Sequence, residues 1–407
     1  MGRRVALMAS PIRVTLLHNF YRGVLPSGED LNVREHQALV GDGAAIDIVQ
    51  TGNNYVVAHP IRGRARAVAA ALDLGSAASR YVDEVISRSP DVVHIENLTP
   101  LIPESVVTSL HDRGLPVVRR WGNYRFRCPS GDSFRDGERC ADCSGRLGTL
   151  PSVIHGCYGS GRGPSAVVAL RRGMVSPSLT HLRHLPISRF LAVELEASGV
   201  PAAQVTVIPN CVPFSTLSTE PQPRGGAGRV LFLGSLLEKK GIRTLLAAWR
   251  LLAAGQSGMR LTFLGDGPLR PEVEQAALED SRITFIPTVP YEEARFEIHR
   301  SDVVVVPSEW DEPFGRVVIE AFAEGTPVVL SDRAALPELL ADSCGYTFIP
   351  GDPADLARQI GAVLDVDDAE RREMAEATRA RHREHFSPEA VRSLWLDTYQ
   401  GVIADAG

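Results

Sequence analysis

The chain has 407 residues, 44% apolar and 23% charged, with a formal net charge of −6. It is too long for one ordinary core, globular in composition, and fits two domains of about 150–200 residues. No apolar run approaches the roughly 18 residues that span a bilayer, and no segment has the basic density of a nucleic-acid-binding domain, so a cytoplasmic protein without a nucleic-acid partner is expected.

From the N-terminus, Met1–Ser10 carries basic residues and a brief apolar stretch that Pro11 and Arg13 interrupt. It reads as a lead-in to the first strand rather than a signal peptide. Strands are expected at Val14–Leu17, Ala45–Gln50, Val92–Ile95 and Val117–Arg119, with helices around Glu29–Leu39, Arg64–Leu74, Ala77–Ser87 and Pro103–Arg113 between them. Residues 1–210 hold 23 arginines against 18 acidic residues, and the remainder holds 20 basic against 31 acidic residues. A mildly basic first half could face an anionic acceptor or the inner surface of a membrane, and a scattered solvated surface explains the count equally well.

Four cysteines follow within thirty residues. Cys128, Cys140, Cys143 and Cys157 are separated by eleven, two and thirteen residues. A CxxC with two further cysteines, in a polar loop too long to order itself by packing, reads first as a structural zinc site. Two disulfides and a redox-active CxxC are the other readings, the former disfavoured in a reducing compartment. Cys211 and Cys344 stand apart as small core residues. The stretch Ser165–Met174, followed by Thr180–Pro186, sets arginines beside apolar residues and reads as a linker helix or a lipid-touching one.

The second half repeats the alternation, with strands at Val230–Leu233, Leu261–Leu264, Ile283–Phe285, Val303–Val306 and Val328–Leu330. Alternating strands and helices imply parallel sheets with right-handed crossovers and ligands at the strands' C-terminal ends. Two strand–loop–helix units carry the chemistry. In one, Val230–Leu233 leads through Gly234 and Ser235 to Lys239-Lys240-Gly241, and these are the only two lysines in the chain. Where arginine supplies every other cation, an adjacent lysine pair points to a need for compact point charges at a phosphate-facing loop. In the other, the continuous apolar run Val303–Val306 leads into Pro307–Gly315 and a helix beginning near Arg316 and Val317. Seven residues separate Glu312 in the loop from Glu320 in the helix, with Pro313, Phe314 and Gly315 directly after the first. Gly315 lets backbone approach a ligand at a helix start, where free N–H groups favour phosphate, and a carboxylate in the first turns can accept from sugar hydroxyls. An acidic loop before an ordinary amphipathic helix explains two glutamates but not Pro-Phe-Gly between them.

In order and spacing, these units resemble glycosyltransferase family 4, the retaining enzymes of GT-B fold in the glycosyl transferases group 1. The resemblance also takes in Pro26-Ser-Gly-Glu-Asp30, Val207-Ile-Pro-Asn-Cys-Val212, Leu264-Gly-Asp-Gly-Pro268, Ala323–Val329 and Leu336–Leu339. It implies an α/β chain of two Rossmann-like domains facing each other across a cleft: an acceptor domain over 1–208, a nucleotide-sugar domain over 209–385, and a helix over 386–407 crossing back to the first. For that last helix, Ser387 suits an N-cap and Pro388 the first turn.

The resemblance further implies retaining transfer of a sugar from a nucleotide-diphosphate sugar, a UDP-sugar favoured over a GDP-sugar, to a hydroxyl of a glycan, glycolipid or small molecule. No catalytic metal is required, since fixed positive groups stand in for one. Lys240 and Glu312 would be the catalytic pair, and Gly28, Gly234, Ser235, Gly265, Phe314, Gly315, Arg316, Val317 and Glu320 would line the donor. Two family features are missing: Gly122 stands where a histidine is common and Ser235 where an arginine is. Arg120, Arg125 or Glu96 are candidate substitutes. These departures also open a second reading, a catalytically weakened relative that binds a sugar nucleotide or glycan as a partner subunit. The sugar, the acceptor and the oligomeric state have no signature in the sequence.

Overall fold

The computed structural model describes residues 10–21, 28–74, 76–145, 147–159, 161–175, 182–214, 228–252 and 258–406. Two parallel sheets organise them. The first contains β1 (Ile12–Phe20), β2 (Ala44–Gly52), β3 (Val92–Ile95) and β4 (Val117–Trp121). A small antiparallel hairpin of β5 (Phe134–Arg135) and β6 (Glu138–Arg139) projects between β4 and the sheet's fifth strand, β7 (Arg183–Pro186). The order across the sheet is β2-β1-β3-β4-β7.

The second sheet contains β8 (Arg229–Leu233), β9 (Arg260–Leu264), β10 (Ile283–Ile286), β11 (Val303–Val306), β12 (Val328–Ser331) and β13 (Gly345–Phe348). Its order is β10-β9-β8-β11-β12-β13, the doubly wound arrangement of a dinucleotide-binding fold. Val303–Val306 and Val328–Leu330 are fully buried, as a parallel strand covered by helices on both faces requires.

Every strand read from the sequence is present; the hairpin strands β5 and β6 and two further strands of the parallel sheets are not among those readings. β7 and β13 both lie at sheet edges, and their sequences, Arg-His-Leu-Pro and Gly-Tyr-Thr-Phe, carry no continuous apolar run. The helix expected from Arg64 begins earlier, spanning Pro60–Ala71, because Pro60 occupies its first turn. Ser165–Met174 falls inside the helix Arg162–Val175. Pro26 and Ser27, Thr180 and His181, the N-terminal lead-in up to Ala9 and most of the segment after Phe214 lie outside the described residues.

One apolar cluster joins the two halves: Trp121, Tyr124, Phe126 and Leu191 from the first pack with Phe314, Val318, Leu336 and Phe386. The Tyr124 hydroxyl donates to the Asp311 carbonyl across the same seam, at 2.7 Å. The last helix, Pro388–Ala406, returns to the first half, where Val391, Trp395, Tyr399 and Val402 are buried with Val14, Val40 and Val92. Ser387 Oγ accepts from the Ala390 N–H at 3.2 Å, capping that helix.

Candidate functional site

In each sheet the strand order reverses once, between β1 and β3 in the first and between β8 and β11 in the second. A loop leaving one of those strands must diverge from its neighbour, which opens a crevice at the strand ends. The two crevices face each other, and residues from both line one cavity of about 690 Å³. That is ample for a nucleotide carrying a sugar.

The second half contributes Gly234 and Ser235 after β8, Lys240 in the short turn Glu238–Lys240, and Glu312 to Val317 after β11. Two glycines bring these loops together. Gly241 has φ +71, and a Cβ there would meet the Pro307 carbonyl oxygen at 1.8 Å. Gly315, φ +119, is the N-cap of the helix Arg316–Glu324 and faces the Leu336 side chain. Lys240 Nζ donates to Glu312 Oε1 at 2.5 Å, and Ser308 Oγ donates to the same oxygen at 2.6 Å. Burial alone would raise the Glu312 carboxyl pKa. The Lys240 charge and hydrogen bonds from Lys240 and Ser308 outweigh it and hold it below its ordinary value. Both lysines lie against the Trp310 ring, Lys239 at 3.9 Å and Lys240 at 5.6 Å from its centroid. Lys239 also reaches Asp132 of the first half at 2.9 Å.

Arg316 links the halves a second time. It donates to Glu320 Oε1 at 3.0 Å and to Asn32 Oδ1 at 2.8 Å. Asn32 in turn donates to Asn210 Oδ1 at 2.9 Å, and Arg120 Nη2 donates to that same oxygen at 2.8 Å. Arg120 stands 3.7 Å from Glu96, which stands 3.3 Å from His94.

The first half contributes Tyr21, Gly28, Glu29, Asn32, Glu96, Arg120, Gly122, Asn123 and Arg125, among others. A smaller chamber opens behind them, floored by Glu96, Glu104, Arg119 and Arg120.

Of the residues singled out in the sequence, Gly28, Gly234, Ser235, Lys240, Glu312, Phe314, Gly315, Arg316 and Val317 line the cavity. Gly265 does not: with φ +143, it lies so close to the Gly234 carbonyl that a Cβ would sit 2.0 Å from that oxygen, and it supports the loop from behind. Glu320 is a turn inside its helix, on Arg316. Sequence reasoning did not single out Asn32, Asn123, Ser308, Trp310 or Asn210. Trp310 and Ser308 lie within the loop already marked by Glu312 and could have been read from it. The asparagines gain their importance only when distant segments meet.

The four cysteines gather at one small cavity beside the hairpin, which all of them line. Among the described residues, however, no group of three or more His, Cys, Asp or Glu is placed to hold a metal ion. Cys128 Sγ instead lies 3.1 Å from Ser130 Oγ, so the zinc expectation is not realised in this geometry. All six cysteines are free. Among the described residues, no helix is long and apolar enough to cross a membrane.

Residues 216–381 match the family model of Glycosyl transferases group 1. Over 215 residues the chain is 33% identical to a glycogen synthase of Mycobacterium tuberculosis, covering 50% of each protein. It is 32% identical over 215 residues to a phosphatidyl-myo-inositol mannosyltransferase of Mycolicibacterium smegmatis, covering 51% of this chain and 54% of that one. The chain thus spans about half the length of the curated relatives it matches. The likeness in architecture extends further. Anabaena Alr3699/HepE, solved in complex with UDP, superposes with a TM-score of 0.65 at 16% identity, over 96% of this chain and 100% of that one. A sucrose-phosphate synthase from Thermosynechococcus elongatus superposes with a TM-score of 0.65 at 18% identity, over 97% and 100%. The two facing parallel-sheet domains are the GT-B fold.

Proposed function

We propose that this protein transfers a sugar from a nucleoside-diphosphate sugar to an acceptor hydroxyl, with retention at the anomeric carbon. The observation that carries this reading is the meeting of two switch-point crevices in one cavity, with Lys240, Glu312, Gly315 and Arg316 on one wall. A structural neighbour of the same fold, solved in complex with UDP, supports a UDP-sugar as the favoured donor, ahead of a GDP-sugar.

In this reading, the diphosphate lies between the Gly234–Lys240 loop and the start of the helix Arg316–Glu324. Lys240 has three N–H donors and Glu312 takes one, so the others are available to phosphate oxygens. As the C1–O bond breaks, negative charge grows on the departing diphosphate, and Lys240 and the backbone N–H groups after Gly315 stabilise it. Glu312 holds the donor sugar, and Glu320, steadied by Arg316, receives the ribose hydroxyls. The acceptor oxygen bonds to C1 from the face the phosphate leaves, and its proton passes to the departing phosphate oxygen. Gly28 lets the first half's backbone approach the same diphosphate, and closure of the halves excludes water that would otherwise hydrolyse the donor. The acceptor is a hydroxyl of a glycan, a glycolipid or a small natural product, reached at the inner face of a membrane if it is a lipid.

The test is a titration of UDP, GDP, ADP and dTDP against the purified protein and Glu320→Ala, followed by assay of the matching donor sugar. One nucleotide should bind saturably, at least about tenfold more weakly in the variant, and its sugar should be transferred or slowly hydrolysed. Absence of binding to all four would sink the reading. Binding without any turnover would instead mark a catalytically silent binding subunit.

A further inference from the structure

Gly122 ends the run of β4 with nothing on its Cα, and the space a side chain would fill is already taken. A Cβ at that position would lie 2.7 Å from Glu29 Oε1 and 3.3 Å from the Glu29 Cγ and Cδ atoms. Glu29 reaches it from the first turn of the helix Gly28–Val40. Asn123 Nδ2 donates to Glu29 Oε1 at 2.7 Å and so holds the carboxylate in place, while Asn123 Oδ1 accepts from the Arg125 N–H at 2.9 Å. The second carboxylate oxygen, Oε2, is buried and makes no hydrogen bond of ordinary geometry among the described residues, with the Tyr21 hydroxyl near enough to feel the carboxylate's charge. Glu29 borders both the main cavity and the chamber behind it.

An acid in the first turn of a helix is favourable for the helix dipole, which explains a glutamate at residue 29. It does not explain a side chain folded toward the cleft with one oxygen satisfied and the other bare. A buried carboxylate oxygen without a donor is costly, and a ligand that brings a donor removes the cost. Across the cavity stand the diphosphate-facing groups Gly315 and Lys240, so a donor's sugar lies between them and Glu29.

We propose that Glu29 is the residue of the first domain that binds a hydroxyl of the donor sugar, and that Gly122 is a glycine because its missing side chain makes room for that carboxylate. The hydroxyl donates to Glu29 Oε2, while Asn123 holds Oε1. The inference rests on the nucleotide-sugar reading of the cleft and goes beyond it by assigning the sugar's partner in the other domain.

Calorimetric titration with the pairs UDP and UDP-glucose, and GDP and GDP-mannose, separates the sugar contact from the nucleotide contact. For the pair that binds, Glu29→Ala should leave nucleoside-diphosphate affinity within about twofold and weaken the sugar-bearing ligand about tenfold or more. Gly122→Ala needs no left-handed backbone and should displace the carboxylate, reproducing that loss. Since both changes remove one contact, the double variant should be no worse than either single one. Unchanged affinity for the sugar nucleotide in Glu29→Ala would overturn the proposal. So would equal losses for nucleotide and sugar nucleotide, or additive effects in the double variant. Failure of the wild-type protein to bind either nucleotide would remove the cleft reading and this inference together.

Discussion

At the scale of single residues, the site is a set of opposite charges held close before any donor arrives. Lys240 and Glu312 are the tightest case, with the carboxylate 7% exposed and its pKa held down by the lysine's charge and hydrogen bonds. Lys240→Ala leaves that carboxylate buried with Ser308 as its remaining donor, so the variant should lose about 2 kcal/mol of stability at neutral pH. A carboxylate with a depressed folded-state pKa contributes its stability above its unfolded value and loses it as pH falls through the folded one. The stability gap between wild type and Lys240→Ala should therefore be full above pH 4.5 and close on further acidification. Urea unfolding of both proteins from pH 7 to 3 checks this, and a gap that persists at pH 3 would remove the ion pair as its source. Lys240 was legible because it and Lys239 are the only lysines in an arginine-rich chain. Glu29 was not, since nothing near residue 29 announces that it will fill the space left at residue 122.

At the scale of elements, the loop after β8 and the loop after β11 are locked by backbone contact as well as by the Lys240–Glu312 pair. Gly241 is the lock: its left-handed φ and its approach to the Pro307 carbonyl together exclude any Cβ. Gly114 is a natural control, with φ +77 and open space around it. Gly114→Ala should cost about 1 kcal/mol from backbone strain alone. Gly241→Ala should cost about 3 kcal/mol, because strain and overpacking add, and should also weaken nucleotide binding. Equal destabilisation of the two variants in urea would show that loop contact contributes nothing. The same physics sets what the sequence revealed of the fold. A strand buried on both faces writes itself as an unbroken apolar run, which is why Val303–Val306 was plain. The edge strands Arg183–Pro186 and Gly345–Phe348 escaped because Arg-His-Leu-Pro and Gly-Tyr-Thr-Phe carry no unbroken apolar run, even though His184, Leu185 and Pro186 are buried. The cavity walls followed from strand–loop–helix units, whereas the pairing of the two walls depends on how the domains dock, and no local pattern records that.

At the scale of the whole molecule, a polar chain runs from the donor loop through the junction to the C-terminal helix. It passes from Glu320 to Arg316, Asn32, Asn210, Arg120, Glu96 and His94, and ends where Tyr399 lies 2.9 Å from His94 Nδ1 and 2.7 Å from His36 Nε2. Burial lowers the pKa of His36 well below its ordinary 6.5, with the charges of His94 and Arg120 acting in the same direction. His94 is lowered by burial too, against the opposing pull of Glu96. Below pH 6.5 the unfolded chain therefore takes up protons at these rings that the folded chain refuses. Stability rises with pH wherever the unfolded state holds more protons, so the protein should weaken as pH drops from 6.5, before its carboxylates titrate. Each refused proton contributes a slope of about 1.4 kcal/mol per pH unit. His36→Leu lowers stability overall by breaking the contact with Tyr399, yet it removes one such proton, so its stability should depend less steeply on pH between 6.5 and 5. The slope is the informative readout, because packing loss alone shifts the whole curve without tilting it. An unchanged slope in His36→Leu would place the acid sensitivity elsewhere, at His94, His382 or His299. Since a continuous chain of polar contacts joins the last helix to the donor loop, acid that loosens Tyr399 should also weaken nucleotide binding, and titrating nucleotide at pH 7.5 and 5.5 in wild type and His36→Leu tests that coupling directly.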